Sequence, residues 1–321
     1  MKDYRSSDQY VIVIGGANID IGGTPLKPLI PADSNPGSIS INYGGVGRNI
    51  AHNLAKLGVP VKLITAIGGD VLGTDMLSHC ESIGIDVSNV LRIPERTSSM
   101  YLYINNTAGD MEMAIDYMDI ALQITPEYLD TIRPVIQGAM AVIADANISE
   151  DAFMHLESIC RAPLYVDPVS TNLSSRIRPG LECIDTLKPN RLEAEYLTGM
   201  TIQTEADYRA AAAALIDMGV RRVFLSMGKE GMLAADKNNM YIVGGYPAEV
   251  ICTTGAGDSA TAAIVWASTV VADSDTLVTA AKAANVVASM TVSVQETNNP
   301  DLSHNTVLER MVNSNMTVRS I

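Results

Sequence analysis

Short apolar runs alternate with longer amphipathic segments along most of the chain. Residues 10–14, "YVIVI", predict a buried strand that two glycines close. Residues 45–58 carry Ile50, Leu54 and Leu57 at helical spacing and end on Gly58, which predicts a capped amphipathic helix. A strand followed by such a helix is the repeating unit of an α/β fold.

The same pattern predicts the other strands of the sheet and the helices that cover it. Strands are expected at 61–68, 139–145, 163–168, 185–190 and 221–226, with a late antiparallel pair at 231–236 and 240–245. Helices are expected at 71–83, after Ser149, Ser170 and Asn190, near Thr204, and over the Ala-rich stretches 256–271 and 274–292. Alternation of this kind predicts a doubly wound, mostly parallel α/β sheet covered on both faces.

Two segments in the first third of the chain interrupt this rhythm. Residues 18–43 contain short β-like pieces separated by Pro, Gly, Asp and Asn, and residues 98–116 form two alternating strands around a "TAGD" turn. The simplest interpretation gathers both segments into one small β-sheet lid over the main sheet. The chain is therefore expected to form one domain over 1–321, with lid segments at about 19–43 and 97–116.

Composition and charge narrow the classes of function. Of the 321 residues, 47% are hydrophobic and 18% are charged, which permits a substantial core. The net charge of −14 leaves no global basic field for nucleic acid. The four cysteines form no CxxC pair, which favours a reduced, cytoplasmic protein over a zinc or disulfide scaffold. No apolar run reaches about 18 residues, so no membrane span is expected.

The stretch "CTTGAGDS" is the first candidate site. It places Gly255, Ala256, Gly257 and Asp258 where a loop enters an Ala-rich helix. A helix N-terminus offers unpaired N–H groups and partial positive charge, and glycines let the backbone approach a ligand closely. Together these groups can hold a transferring phosphoryl group while the carboxylate accepts a proton from an attacking hydroxyl. An aspartate that only caps the helix is the alternative.

Two polar motifs near the N-terminus are candidates for binding a substrate. The motif "GGVGRN" opens the first long helix, and Asn18 and Asp20 follow the first strand at its carboxyl end. The order of its glycines does not match the dinucleotide fingerprint, which argues against nicotinamide binding. Gly44, Gly45 and Asn49 suit a polyhydroxylated substrate close to the backbone, and an amide beside a carboxylate suits vicinal hydroxyls. Glycine turns and Asx turns are the alternatives.

Two later stretches are candidates for binding a nucleotide. In "TLKPNRLEAE", Asn190 and Glu193 lie three residues apart on one face of a helix start. Outer-sphere binding of Mg²⁺ and nucleotide phosphates is one interpretation of this pair, and reciprocal helix capping is the other. In "LSMGKEG", Ser226, Gly228 and Gly231 suit a nucleotide-contacting turn, although the chain contains no Walker A loop.

These motifs, in this order, resemble the ribokinase-like (PfkB) sugar-kinase family. The GGxGxN motif near the N-terminus and the GAGD motif near the C-terminus are the signatures of that family, and their joint occurrence is specific. The resemblance runs from about residue 10 to residue 301. It implies a ribokinase-like fold, ATP as the phosphoryl donor, Mg²⁺ as a cofactor and a nucleoside or sugar as the acceptor. It also implies a homodimer joined through the lids.

The resemblance further implies a role for each matching residue. Asp258 is expected to act as the base, with an anion hole formed by Gly255, Ala256 and Gly257. The sugar hydroxyls are expected to contact Asn18, Asp20, Gly44, Gly45 and Asn49, with a further contact from Asn147. The nucleotide is expected to contact Asn190, Glu193, Ser226, Gly228 and Gly231, and Glu193 is expected to hold Mg²⁺ through water.

The chain departs from the family pattern at specific positions. Relatives that a monovalent cation activates often carry an acid six residues before the base, where this chain has Cys252. This departure argues against activation by K⁺, although Thr254 and carbonyls near Thr297 can form a weaker site. Val46 stands where sugar-specific relatives often have Lys, which suits a base-bearing substrate. Arg48 is unusual in this motif and has no assigned role.

More than one function stays open on these grounds. A kinase of this family can act on one of several nucleosides or sugars, among them uridine, adenosine, ribose and fructose. A sensor that has kept the fold without catalysis belongs to a different class, and the intact Asp258, Gly255 and Asn49 argue against it.

Overall fold

The structure, a computed structural model, describes residues 9–271 and 276–321. The strands in chain order are β1 (Val11–Ile14), β2 (Asn18–Pro25), β3 (Gly37–Gly44), β4 (Val61–Ile64), β5 (Ala66–Gly68), β6 (Ile85–Asp86), β7 (Leu91–Ile93), β8 (Met100–Asn105), β9 (Met111–Tyr117), β10 (Ala141–Asp145), β11 (Leu164–Asp167), β12 (Thr186–Leu187), β13 (Arg222–Ser226), β14 (Met232–Asp236), β15 (Met240–Val243) and β16 (Val318–Ser320). The α-helices are α1 (Val46–Lys56), α2 (Val71–Ser82), α3 (Pro126–Thr131), α4 (Arg133–Gln137), α5 (Glu150–Ile159), α6 (Arg191–Thr198), α7 (Glu205–Asp217), α8 (Ala256–Thr269), α9 (Thr276–Val292) and α10 (His304–Val312).

The main sheet has a point at which its strand order reverses. Within the described ranges its ten strands follow the order β16-β15-β14-β13-β12-β11-β10-β1-β4-β6. The run from β13 to β6 is parallel, and β14, β15 and β16 add an antiparallel edge. The predicted fold class, a doubly wound α/β sheet, is confirmed. On one side β1 pairs with β4, and on the other side it pairs with β10, from which β11, β12 and β13 continue. The strand order therefore reverses at β1, and ligands are expected next to β1 at the carboxyl ends of the strands.

Each face of the main sheet carries its own apolar core. Along β1, Val11 and Val13 pack into one cluster and Ile12 and Ile14 pack into the other, as the two-residue period of a strand requires. The first cluster joins the sheet to α1, α8 and α9, and the second joins it to α5, α6 and α7. These two layers fix α1 and α8 on the same side of the sheet.

A separate four-stranded sheet, in the order β3-β2-β8-β9, gathers the two segments that interrupt the βα rhythm. One face carries a polar row across all four strands, formed by Asn42, Asp20, Tyr101 and Asp116. The next row points to the opposite face and is apolar, formed by Ile41, Ile21, Leu102 and Ile115. The expectation that both segments build one small sheet is confirmed, while the single-domain division with its inserted segments stays a prediction.

Two expected elements differ from the prediction. The stretch 61–68 forms two strands, because the Thr65 carbonyl accepts the Leu91 N–H and β5 then pairs with β7 in a two-stranded sheet. The α-helix expected after Ser170 is absent from the described residues there, which form two 3₁₀ helices, Leu173–Arg176 and Arg178–Cys183. The second contains Pro179, which lacks an N–H, so an α-helix is disfavoured there. The predicted start of the last long helix, Ser274, lies outside the described residues.

The structure also adds elements to the predicted ones, namely α3, α4, α10, β6, β7 and β16. Helix α3 begins with Pro126, and the Thr125 side chain accepts the Tyr128 N–H at 3.3 Å. A capping threonine followed by proline indicates a helix start, but a prediction based only on the spacing of apolar residues does not detect it. Across 9–271 and 276–321, no helix combines the length and the apolar character needed to cross a membrane.

Candidate active site

Helix α8 begins in a backbone conformation that only glycine adopts readily. Gly255 has φ +80° and forms the N-cap of the helix. A Cβ atom at this position would overlap the carbonyl oxygen of Thr297. Two residues later Gly257 is exposed, and a Cβ atom there would lie 3.3 Å from the Lys188 ammonium. The first turn of α8 therefore offers N–H groups, an open glycine and a nearby cation, which together suit a bound anion.

Asp258 brings the two glycine motifs into direct contact. Its Oδ2 atom accepts a 2.7 Å hydrogen bond from the side-chain nitrogen of Asn49, which lies 209 residues earlier on α1. Burial and the negative charge of Asp167 raise the pKa of Asp258 to about 7, against the lowering effects of Asn49 and Lys188. A carboxylate with a pKa near neutrality is suited to accept a proton from a hydroxyl.

A buried ion pair that sequence reasoning missed lies beside Asp258. The Lys188 ammonium is 3.3 Å from Oδ2 of Asp167, and Lys188 is 4% exposed. The Thr261 hydroxyl on α8 donates to the same Asp167 oxygen at 2.7 Å. Although burial opposes it, the charges of Asp167, Glu193 and Asp258 raise the pKa of Lys188 above its usual value. Lys188 therefore stays protonated next to the glycine turn of α8.

Asp145 supplies a third carboxylate at the same edge and is fully buried. Its Oδ2 atom accepts from the Gly16 N–H and its Oδ1 atom from the Asn147 N–H, both at 2.9 Å. Burial raises its pKa to about 6, although these hydrogen bonds oppose the shift. Asp145 thus ties the loop after β1 to the loop after β10.

The missed residues share one signal in the sequence. Asp145 ends β10, Asp167 ends β11 and Lys188 directly follows β12, so three neighbouring parallel strands each end at or just before a charged residue. Carboxyl ends of parallel strands meet at one edge of a sheet, where ligands bind. Applying this rule to every predicted strand, rather than to the first alone, would have found them.

Asn18 and Asp20 lie on one face of β2, as the alternation of a strand predicts. The Asn18 side-chain nitrogen donates to Oδ1 of Asp20 at 2.6 Å. Gly44 is the strand partner of Asn18, and a Cβ atom there would overlap the Asp20 carboxylate. Gly45, with φ +94°, lies against the backbone of residues 16 and 17. These four residues form a compact polar corner where the small sheet meets α1.

Asn190 and Glu193 form the reciprocal cap that the sequence offered as one of two interpretations. The Glu193 N–H donates to Oδ1 of Asn190 at 3.0 Å, while the Glu193 oxygens accept from the Asn190 backbone and side-chain nitrogens at 2.8 and 2.7 Å. Glu193 is also buried near Lys188 and Asp167, and burial raises its pKa. Each Glu193 oxygen accepts one of these bonds and keeps a further acceptor site, so the capped pair can still accept from a water on Mg²⁺, which usually keeps its waters. That contact stays a prediction.

The remaining candidates lie on two loops at the same sheet edge. Ser226 ends β13, and its N–H donates to the Pro189 carbonyl at 3.0 Å, which joins the "LSMGKEG" turn to the loop before Asn190. Gly228 and Gly231 have φ of +59° and +107° in this turn. Asn147 bonds to Asp145 and lines a cavity of about 290 Å³ together with Asp116 of the small sheet. The structure therefore separates the acceptor candidates, near β1 and β10, from the nucleotide candidates, near β12 and β13.

Comparison with known proteins identifies the class to which this site belongs. The family model described as pfkB family carbohydrate kinase matches residues 8–305. Over 312 residues the chain is 39% identical to pseudouridine kinase of Escherichia coli (strain K12), with 95% of this chain and 97% of that protein covered. A carbohydrate kinase structure from Agrobacterium tumefaciens superposes with a TM-score of 0.86 at 27% identity, over 98% of this chain and 100% of that one. A ribokinase from Arabidopsis thaliana, complexed with ribose and ATP, shares the fold with a TM-score of 0.83 at 22% identity, over 95% of this chain and 99% of that one.

The chain belongs to the pfkB family of carbohydrate kinases. It is a phosphotransferase that acts on a hydroxyl acceptor, and the expectation of a ribokinase-like kinase is confirmed. The roles of the individual site residues stay predictions, which the geometry above makes specific.

The pKa of Asp258 leads to a prediction for the pH dependence of the kinase. A base must be ionised to accept a proton, and this carboxyl ionises as the pH rises through about 7. We expect kcat/KM for the acceptor to be constant above this pH and to fall about tenfold for each pH unit below it.

The control for this pH profile is Asn49→Ala, which removes the hydrogen bond that lowers the pKa of Asp258. The fall in kcat/KM at low pH, which is the acid limb of the profile, should move to higher pH in this variant. Ionisation of the nucleotide phosphates is the same in both proteins and cannot cause such a difference. Identical limbs in the two proteins would mean that the titrating group is not Asp258.

Proposed function

We propose that the protein transfers the γ-phosphate of ATP to the 5′-hydroxyl of pseudouridine, giving pseudouridine 5′-phosphate. The observation that carries the reaction is the 2.7 Å contact between Asn49 and Asp258, which sets a hydroxyl-binding amide beside a base under the glycine turn of α8. The choice of acceptor rests on the 39% identity to pseudouridine kinase of Escherichia coli (strain K12) over 95% of this chain.

Different groups at the sheet edge accept the proton and stabilise the charge during phosphoryl transfer. Asp258 accepts the hydroxyl proton as the acceptor oxygen bonds to the γ-phosphorus and the bond to the β-phosphate oxygen breaks, which releases ADP. The N–H groups at the start of α8 and the Lys188 ammonium stabilise the negative charge of the transferring group. Glu193 would hold Mg²⁺ through water, and the ion would offset the negative charge of the nucleotide phosphates.

The small sheet presents its polar face as a second wall for the acceptor. Asp20 belongs both to the polar corner beside α1 and to the cross-strand row that continues through Asn42, Tyr101 and Asp116. A C-nucleoside offers an N–H donor where uridine has its glycosidic nitrogen, and we propose that an acceptor on this row reads it. Closure of the sheet over the ribose would exclude water, which competes as a phosphoryl acceptor.

A phosphorylation panel tests the proposed acceptor. We expect the purified protein, with ATP and Mg²⁺, to phosphorylate pseudouridine with the highest kcat/KM among pseudouridine, uridine, adenosine, ribose and fructose. Asp116→Asn should narrow the preference for pseudouridine over uridine if this carboxylate reads the extra N–H. A clear preference for any of the other four acceptors would contradict pseudouridine as the substrate but would not contradict the kinase mechanism.

A non-catalytic sensor on the same fold is the second candidate function. The raised pKa of Asp258 favours the kinase over the sensor, because strongly shifted carboxyl groups cluster at sites where a proton is transferred. Absence of ATP turnover with the whole panel, in a protein that still binds one of these acceptors by calorimetry, would favour the sensor.

The apolar face of the small sheet supports the proposal of a homodimer joined through these sheets. Ile39 and Ile115 lie on this face and are 77% and 69% exposed. Contiguous apolar surface of this kind marks interaction sites, and the open edges of a sheet invite pairing. We expect Ile39→Lys with Ile115→Lys to convert a dimer to a monomer in sedimentation velocity.

The matched control for the dimer is Val71→Lys, which places the same charge on an 82% exposed residue of α2. This variant should remain dimeric. A wild-type protein that sediments as a monomer would contradict the proposed dimer, as would equal dissociation of the control.

Two further features of the proposal come from the sequence. The carbonyl of Thr297 packs against Gly255, so carbonyl oxygens do approach the glycine turn, but Cys252 replaces the acid that relatives often carry. The argument against activation by K⁺ stays a prediction, which a comparison of the reaction rate in K⁺ and Na⁺ buffers tests. The four cysteines are free thiols, which fits the proposed cytoplasmic location.

A further inference from the structure

Arg48 is buried without a carboxylate partner. It is 2% exposed, and no carboxylate oxygen of the described residues lies within ion-pair distance of its guanidinium. Burying a cation in this way costs several kcal/mol unless hydrogen bonds compensate for the lost water. Burial accordingly lowers the pKa of Arg48, although the nearby Asp258 and Asp20 carboxylates oppose the shift. A residue held at such a cost calls for a role.

Every nitrogen of the guanidinium faces a neutral acceptor. Nε donates to the Gly44 carbonyl at 3.1 Å, and Nη1 lies 3.2 Å from Nδ1 of His52. Burial and the Arg48 charge lower the pKa of His52 to about 3, so this ring stays neutral and its Nδ1 accepts. Nη2 donates to Oδ1 of Asn49 and, at 2.7 Å, to Oδ1 of Asn298.

These contacts decide which way the Asn49 amide points. Its oxygen accepts a hydrogen bond from the Arg48 guanidinium, and its nitrogen donates to Oδ2 of Asp258 at 2.7 Å. The reversed amide would set its NH₂ group against the donors of Arg48 and its oxygen against a carboxylate, so both contacts would become repulsive. Asn298 strengthens the arrangement, because its side-chain nitrogen donates to the backbone carbonyl oxygen of Asn49 at 3.3 Å.

We propose that Arg48 is a positioning residue that holds the Asn49 amide with its nitrogen toward Asp258 and so keeps this carboxylate ionised and aligned for the acceptor hydroxyl. The proposal deepens the proposed kinase mechanism and rests on it. Arg48 acts through Asn49, because it makes no hydrogen bond of its own to Asp258 among the contacts of the described residues.

Other charges face the same carboxylate and must be separated from this effect. The acids Asp167 and Asp145 raise the pKa of Asp258, and Lys188 lowers it. Around Arg48 lie Asp20 and Asp258, together with the Cys80 thiol, whose pKa burial raises to about 11 and which therefore stays neutral. Apart from Asp258 itself, none of these groups touches the Asn49 amide in the contacts above, so a test that includes Asn49 isolates the proposed route.

The first measurement is the pH dependence of kcat and KM in Arg48→Met and Arg48→Lys. Arg48→Met removes the donor and the charge, and we expect kcat to fall by about 10²-fold, as for a misplaced reacting group, with the acid limb moved to higher pH. Arg48→Lys keeps the positive charge but can donate to only some of the hydrogen-bond acceptors around Arg48. The loss of kcat and the shift of the acid limb should therefore be smaller and in the same direction. Lys56→Met removes a cation from the same helix and should leave the limb in place.

The second measurement repeats Arg48→Met in an Asn49→Ala background. If Arg48 acts through the amide, most of the shift in the acid limb disappears there, whereas a through-space charge effect would persist and overturn the proposal. Both Arg48 variants could instead keep the acid limb of the wild type and lose kcat only in proportion to the loss of folded protein. That result would show that Arg48 has a purely structural role.

A third measurement does not depend on the acceptor. The pKa of Asp258 is read by carbon NMR of the free protein labelled at the Asp carboxyl carbons, with Asp258→Asn used to assign the signal. We expect a higher pKa in Arg48→Met and Arg48→Lys than in the wild type. An equal pKa in all three proteins would overturn the proposal, whereas failure of the kinase panel alone would overturn only the proposed function.

Discussion

Replacing Asp258 by Asn is expected to lower kcat at about pH 8 by roughly 10²–10⁴-fold, which is the usual contribution of a general base. The fold should not suffer, because the Asn side-chain oxygen can still accept the hydrogen bond from Asn49. KM for the acceptor should change little, since Asn18 and Asp20 are untouched. Initial rates with pseudouridine, or with the best acceptor of the panel, measure the effect.

The same variant has a stability signature with a definite sign. The pKa of Asp258 is raised from 3.8 to about 7 in the folded protein, so between these values the folded state binds more protons than the unfolded state. Stability from this group therefore decreases as the pH rises through this window, and the ionised carboxylate is disfavoured above it. We expect Asp258→Asn to raise the melting temperature relative to the wild type more at about pH 8 than at about pH 5, as is common for catalytic groups.

The matched control is Asp217→Asn, which makes the same change at an exposed residue at the end of α7. It should leave both kcat and the melting temperature unchanged. An Asp258→Asn enzyme with near-normal turnover would show that another group accepts the proton, and the proposed mechanism would then be wrong.

Replacing Lys188 by Met is expected to damage both the fold and the reaction. The change leaves the Asp167 carboxylate buried and uncompensated at 4% exposure, and breaking a buried pair in this way costs about 3–5 kcal/mol of unfolding free energy. It also removes the cation beside Gly257 and lets the pKa of Asp258 rise further, so kcat at neutral pH should fall by at least about 10²-fold. Chemical denaturation and initial rates measure the two effects.

A double variant separates these two losses. Asp167→Asn with Lys188→Met removes both members of the pair, so most of the unfolding free energy should return while kcat stays low. Lys237→Met, at an exposed residue after β14, is the control for loss of a positive charge. If the double variant regains near-normal turnover, Lys188 serves only to neutralise Asp167 and does not act on the phosphoryl group.

The candidate site was predictable to the extent that its residues sit in local motifs. Asp258 and Asn49 each stand in a glycine motif at a helix start, and the family resemblance assigned both before their contact was known. Asp145, Asp167 and Lys188 stand in ordinary strand endings, which carry no glycine and no unusual spacing. Their importance depends on which strands are neighbours, and neighbours in a parallel sheet are distant in sequence.

The two interpretations of Asn190 and Glu193 show a different limit of sequence reasoning. Helix capping and outer-sphere binding of Mg²⁺ and nucleotide phosphates were the alternatives, and the structure shows the cap. The capped Glu193 also lies near Lys188 and Asp167, so the cap leaves the second interpretation open as a prediction. A helix start placed at the edge of a sheet satisfies its own N–H groups and faces the cleft with the same side chains. Sequence spacing reports only the first of these.

The sequence alone determined the alternation of strands and helices, the β character of the two interrupting segments and the two glycine motifs, because each follows from the local preferences and periodicity of neighbouring residues. Only the tertiary structure decided that Asn49 meets Asp258 across 209 residues and that Arg48 donates a hydrogen bond to the amide between them. It also decided that charged residues at or next to the ends of three strands lie near this carboxylate. The physical reason is that burial and charge proximity set the pKa of Asp258, and both arise from contacts between strands and helices that the chain brings together only when the sheet forms.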